Sequence, residues 1–171
     1  MEGGWYQSFC GLAWEDHTLC YACAASHYAG ATDTSCKSCP GGEVTSSSGL
    51  ASCTSCDVGG YSIGGKTCMN CPQGSVGFAT PSDKCAVCPA GEYNDKTKKT
   101  TCVQCPAGKS LMPTAENEYT EHDSPDDCKV CATGKYQDQK GGADCQSCPA
   151  GTSTTGTGST SEDDCFDVDE C

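Results

Sequence analysis

Eight C-x-x-C pairs carry the only repeated chemistry in this chain: Cys20/Cys23, Cys36/Cys39, Cys53/Cys56, Cys68/Cys71, Cys85/Cys88, Cys102/Cys105, Cys128/Cys131 and Cys145/Cys148. Cys10, Cys165 and Cys171 stand alone. Such pairs support three chemistries: zinc ligation, dithiol redox exchange and structural disulfides. Zinc ribbons use similar pairs, but the gaps of 12, 13, 11, 13, 13, 22 and 13 residues are mostly shorter than that pattern favours. Four zinc sites in a row would be needed, and zinc requires no Pro after the second Cys. A redox C-x-x-C needs a βαβ setting and an electropositive surround, and neither is present. Disulfides remain.

Composition requires the same conclusion. Cysteine makes up 19 of 171 residues, about 11%, while Leu, Ile, Val and Phe together number only 15. A chain so poor in large apolar residues cannot build a sizeable core and would be disordered without cross-links. The net charge of -13 argues against nucleic acid and against an anionic membrane surface. It fits a soluble, self-repelling extracellular protein, or one that meets calcium. No apolar run approaches the ~18 residues of a membrane span, and Met1 to Gly11 contains no signal-peptide core. Because cross-linking needs an oxidising compartment, the expected location is extracellular, as a secreted chain or a cell-surface ectodomain. The expectation is that a signal has been removed or that the chain is an interior piece.

The elements that must position the cysteines repeat with them. Gly is the third residue after the second Cys in seven of eight loops, namely Gly42, Gly59, Gly74, Gly91, Gly108, Gly134 and Gly151, with Ser26 as the exception. The fifth residue alternates: Tyr28, Val44, Tyr61, Val76, Tyr93, Ser110, Tyr136, Ser153. C-P-x-G reads as a turn that launches a short strand. Each loop is expected to be a small irregular β-hairpin, with each Tyr ring lying across the adjacent disulfide and its hydroxyl meeting water. The predicted fold is a small disulfide-rich one, mostly irregular with short β-hairpins, little or no helix and no conventional hydrophobic core. Its loops are expected to touch mainly their neighbours and to stack into an elongated rod of tandem repeats, on the order of 100 Å at ~10–15 Å per hairpin. The alternation divides the chain into an N-terminal segment or cap over 1–19, which holds Trp5 and Trp14, and double repeats over 20–52, 53–84, 85–127 and 128–166.

Strings such as Cys88-Pro89-Ala90-Gly91-Glu92-Tyr93, closed by a C-x-x-C-P, resemble the ephrin-receptor-like cysteine-rich repeat. They are also similar to the first half of tumour-necrosis-factor-receptor-type modules. The resemblance extends from Cys20 to Cys165, with departures at Ala24, Asp57 and Ala132, where Pro is expected, and in the long Cys105–Cys128 loop. Residues 167–171, Asp167-Val168-Asp169-Glu170-Cys171, resemble the opening of a calcium-binding epidermal-growth-factor-like domain. That resemblance implies calcium ligands from the Asp167 and Glu170 side chains and the Val168 carbonyl, a set incomplete within the chain. No other cofactor is expected.

Counting alone does not fix the pairing, and parity narrows it. In a sequential scheme the second Cys of each pair bonds the first of the next: Cys23–Cys36, Cys39–Cys53, Cys56–Cys68, Cys71–Cys85, Cys88–Cys102, Cys105–Cys128 and Cys131–Cys145. Cys10–Cys20 and Cys148–Cys165 then close the ends, and Cys171 stays unpaired within the chain. A crossed scheme strands Cys10, Cys165 and Cys171 together, so the sequential one is preferred.

The remaining polar features have plainer readings. His17, His27 and His122 lie near no repeated Ser and no orienting Asp arrangement and are expected at the surface; no catalytic residues are assigned. Glu116, Glu118, Glu121, Asp123, Asp126 and Asp127 crowd the longest loop at spacings unlike a known calcium loop, so solvated charge is expected. Thr152, Ser153, Thr154, Thr155 and Thr157 begin a Thr/Ser/Gly-rich run suited to O-linked sugar or to a flexible loop tip, and Thr45 to Ser48 is a smaller copy. No Asn-x-Ser/Thr sequon is present. The expected function is non-enzymatic: a spacer or building block of an extracellular fibre, cell-surface appendage or adhesive ectodomain. Its expected partners are other copies of itself or neighbouring extracellular domains. The alternative is a receptor ectodomain that binds a protein ligand.

Overall fold

From Cys36/Cys39 onward the dipeptide inside each C-x-x-C is a strand, and it pairs with the fourth and fifth residues of the loop before it. Lys37–Ser38 pairs antiparallel with His27–Tyr28, Thr54–Ser55 with Glu43–Val44, and Met69–Asn70 with Gly60–Tyr61. The pattern continues with Ala86–Val87 on Ser75–Val76, Val103–Gln104 on Glu92–Tyr93, Lys129–Val130 on Lys109–Ser110, and Gln146–Ser147 on Lys135–Tyr136. Cys165–Asp167 on Thr152–Thr154 ends the series. The computed structural model describes residues 9–12, 18–30, 33, 35–113 and 119–168, with 9–12 and 18–21 as backbone only. Among these residues there is no α-helix, and regular structure consists of two-stranded hairpins with three short 3-10 turns. The fold is therefore disulfide-rich and built from short antiparallel hairpins.

Among the described residues eight disulfides close the loops: Cys23–Cys36, Cys39–Cys53, Cys56–Cys68, Cys71–Cys85, Cys88–Cys102, Cys105–Cys128, Cys131–Cys145 and Cys148–Cys165. Cys10 and Cys20 face each other in register on paired strands, but their side chains lie outside the described residues, as do Trp5, Trp14, His17 and Cys171. Half-cystines make up most of the buried hydrophobic residues among those described. Apart from them, only Ala29, Leu111 and Tyr136 are buried hydrophobic residues among those described.

The turn that opens each loop is the same whether or not it contains Pro. The fourth residue's N–H donates to the carbonyl of the first: Glu92 to Pro89 and Lys109 to Pro106, but also His27 to Ala24, Gly60 to Asp57 and Lys135 to Ala132. The third residue, at the corner before that N–H, has positive φ, from 73° at Ser26 to 87° at Gly151. Pro at the first position supplies only a carbonyl, so Ala and Asp replace it without loss of the turn. Ser26 keeps the left-handed backbone that glycine adopts elsewhere, against the steric cost of its Cβ. The corner carbonyl then accepts the N–H of the next pair's second Cys, as Gly42 does from Cys56 and Gly91 from Cys105.

The described backbone divides into two units, 1–71 with 77–85 and 72–76 with 86–171. In the first, the Ser26 and Gly42 N–H groups donate to the Thr45 and Ser62 carbonyls of the following loop. In the second, Gly74, Gly91 and Gly108 do the same to Asn94, Leu111 and Gln137. The loops do more than touch their neighbours. A Cβ at Gly91 would overlap the Gly141 carbonyl, and one at Gly74 the Tyr119 carbonyl, each in the loop two further on.

Candidate functional site

The most constrained position of each loop is the sixth residue after the second Cys. Ala29, Thr45, Ser62, Gly77, Asn94, Leu111, Gln137 and Thr154 occupy it, and all are buried. Its carbonyl accepts from the preceding loop, and its N–H donates to the next: Thr45 to Gly65, Ser62 to Ser82, Asn94 to His122, Leu111 to Gly142 and Gln137 to Ser159. Three loops therefore meet at one residue. Buried polar side chains must find partners, and those at this position largely do. Asn94 donates to the Ser75 and Lys96 carbonyls at 2.7 and 2.8 Å and accepts the Lys96 N–H. Gln137 donates to the Asp144 carbonyl and accepts the Gln139 N–H. Thr154 accepts the Gly134 N–H and donates to the Gly156 carbonyl. Sequence reasoning passed over this position, because its occupants share no chemistry beyond the absence of charge and aromatic rings.

His122 corrects the expectation of a surface histidine. It is 2% exposed, its carbonyl accepts the Asn94 N–H, and its Nδ1 lies 2.8 Å from the Glu92 carbonyl. A carbonyl only accepts, so Nδ1 carries the proton. His27 is half-buried, with its ring nitrogens near the hydroxyls of Ser26 and Ser38.

The acids of the long loop act in part as caps. The Ser124 hydroxyl accepts the Asp126 N–H, and the Asp127 carboxylate accepts the Ser124 N–H, which makes a capping box on a 3-10 turn. Ser161 and Asp164 repeat it before Cys165. Both boxes come from the string S-x-D-D-C. Glu116 and Glu118 lie outside the described residues. Among the described residues no group of three His, Cys, Asp or Glu side chains is arranged to hold a metal. Asp167 ends the last strand and Val168, whose N–H donates to the Gly151 carbonyl, follows it; Glu170 lies outside the described residues.

The tyrosines divide in role. Tyr93 packs on Cys105, Leu111 and Cys128, an apolar cluster of the second unit. Tyr136 is 7% exposed, and its hydroxyl meets carboxylate and amide rather than water, at 3.3 Å from Glu162 Oε2 and 3.5 Å from Gln146 Oε1. Burial, then the Glu162 charge, raise its pKa above the ordinary tyrosine value. A phenol raised in this way stabilises the fold fully below the unfolded pKa of about 10, and that contribution is lost as pH rises through the folded pKa. In a rapid absorbance titration Tyr136 is expected to ionise after ordinary tyrosines, and Tyr136→Phe to remove the most alkaline part of the curve. An unchanged curve for Tyr136→Phe would contradict this.

A cavity of about 200 Å³ lies beside the long loop, lined by Leu111, Met112, Thr120, Glu121, Asp127 and Lys129. Met112 and Tyr119 are exposed nearby in sequence. This irregular surface of the second unit offers a concave apolar floor with charge at its edge.

Residues 118–165 match a family model described as tyrosine-protein kinase ephrin type A/B receptor-like. No curated protein matches the chain. The matched segment runs from the end of the long loop to Cys165 and contains both capping boxes and two complete disulfide-closed loops. Together with the disulfide ladder, that match supports a cysteine-rich repeat chain of extracellular type, similar over those residues to the ephrin-receptor-like family.

Proposed function

We propose that the chain is a non-enzymatic extracellular spacer, a building block of a fibre, cell-surface appendage or adhesive ectodomain. The observation that carries this reading is the repetition of one backbone bonding scheme from loop to loop, with side chains free to vary around it. A scheme of that kind sets length by loop number and leaves the exposed residues to present surface. The large exposed hydrophobics, such as Leu50, Ile63, Phe78 and Met112, come from separate loops. A globule of this length would have a radius of gyration near 15 Å. Small-angle scattering of the oxidised chain is expected to give a value well above that, and a compact value would sink the spacer reading.

The second reading is a receptor ectodomain that binds a protein ligand. The receptor-like match and the cavity floored by Leu111 favour it. A monodisperse chain that captures a soluble protein, with capture lost in Met112→Asp, would favour the receptor. Concentration-dependent end-to-end polymers would favour the fibre. A calcium role for Asp167, Val168 and Glu170 belongs to the same proposal, and it requires residues beyond Cys171.

A further inference from the structure

We propose that two loop tips, Ser46-Ser47-Ser48 and Thr155-Gly156-Thr157, are acceptor sites for O-linked sugar. Both tips occupy the seventh to ninth positions after a second Cys. Each is held at both ends. Before the tip stands the buried sixth residue, Thr45 or Thr154. After it stands a glycine of positive φ, Gly49 or Gly158, whose N–H donates to the carbonyl of the preceding loop's second Cys, Cys23 or Cys131, at 2.8 Å. Between these anchors all three residues are exposed. The loop after Cys131 has the same frame, with Gly141 anchored on the Cys105 carbonyl at 2.9 Å, but its exposed tip is Asp138-Gln139-Lys140 and offers no hydroxyl.

Two hydroxyls at the start of the Thr/Ser-rich run are less available. Thr154 is 4% exposed and its hydroxyl is engaged with Gly134 and Gly156. Thr152 is half-buried and donates to the Pro149 carbonyl. At Gly156 an added Cβ would meet nothing within 4 Å, so space is open around the tip. A glycosyltransferase needs just this: an exposed hydroxyl on a small-residue backbone that it can approach without unfolding the anchors. The threonine or serine oxygen attacks the anomeric carbon of a nucleotide-activated sugar and the sugar–phosphate bond breaks. The nucleoside diphosphate then leaves, and the hydroxyl proton passes to a base of the transferase.

The inference rests on the extracellular reading, since these transferases act along the secretory route. The chain is therefore produced in a eukaryotic secretory host, and the secreted protein is mapped by peptide mass spectrometry with side-chain-preserving fragmentation. Failure to be secreted with its disulfides formed would count against the extracellular reading itself. Given secreted, oxidised protein, sugar is expected on both tips, and Thr155→Ala/Thr157→Ala is expected to lose only the mass carried by its own tip. A bare tip at either place, or carbohydrate confined to hydroxyls outside the tips, overturns the proposal. Mapping of the unsubstituted chain decides the matter even if the double variant is poorly secreted.

Discussion

Complete reduction at neutral pH, without denaturant, is expected to unfold the chain. Each disulfide that closes a loop of 12 to 14 residues contributes ~3 kcal/mol by restricting the unfolded chain, and the Cys105–Cys128 loop of 23 contributes slightly more. Small domains have a net stability of about 5–15 kcal/mol, so a few rungs equal the whole. Among the described residues nothing else is large enough to compensate. Burial of one leucine stabilises by roughly 1.5–3 kcal/mol, and Leu111 is the only buried leucine among the described residues. The described ion pair, Lys37 with Asp33 at 2.6 Å, joins two surface groups and adds little. Circular dichroism should lose its hairpin signature in a phosphine reductant, and trypsin should cut throughout the chain. Retention of the native spectrum and of protease resistance would mean that backbone bonding alone holds the loops.

What the sequence reveals about this fold is what cysteine, glycine and proline control directly. The beat of C-x-x-C pairs, the corner glycine and the scarcity of Leu, Ile, Val and Phe carry the fold class of short hairpins without a conventional core. Ser26 shows the limit of reading residue type. It breaks the glycine rule in sequence and keeps the glycine conformation in space, because the hydrogen bonds from its N–H to the Thr45 hydroxyl and carbonyl hold the corner. The sixth position is a deeper limit. Its burial comes from backbone bonds to two other loops, so threonine, leucine, asparagine and glutamine serve there alike. Periodicity of side-chain character is blind to such a position. His122 is hidden for a related reason. Its ring partner, the Glu92 carbonyl, lies 30 residues away, and no local pattern brings the two together.

The same interlocking makes Gly91→Ala one of the most damaging small substitutions expected among the described residues. Two costs add. Gly91 has φ of 81°, a backbone that an L-residue adopts at roughly 1–2 kcal/mol. Its Cβ would also overlap the Gly141 carbonyl carbon and oxygen, which are backbone atoms without freedom to swing away. Gly141 cannot retreat cheaply, because its N–H is tied to the Cys105 carbonyl and its own φ is 73°. Nor can Gly91 move, since its N–H bonds the Leu111 carbonyl at 2.7 Å and its carbonyl accepts from Cys105 at 2.8 Å. The sum should exceed ~4 kcal/mol and reach the range in which a marginally stable chain fails to fold. Gly151→Ala isolates the first cost, for its φ is 87° while an added Cβ meets nothing within 4 Å. It should lose only ~1–2 kcal/mol. The three-way comparison is completed by Gly156→Ala, where space is open and φ is not positive, and a gain of ~0.4–1 kcal/mol is expected from the restricted unfolded chain. Thermal unfolding of the three oxidised variants, with disulfide mapping of the secreted Gly91→Ala chain, reads this order directly. If Gly91→Ala is no worse than Gly151→Ala, the loops do not interlock two apart, and each is held by its own disulfide alone.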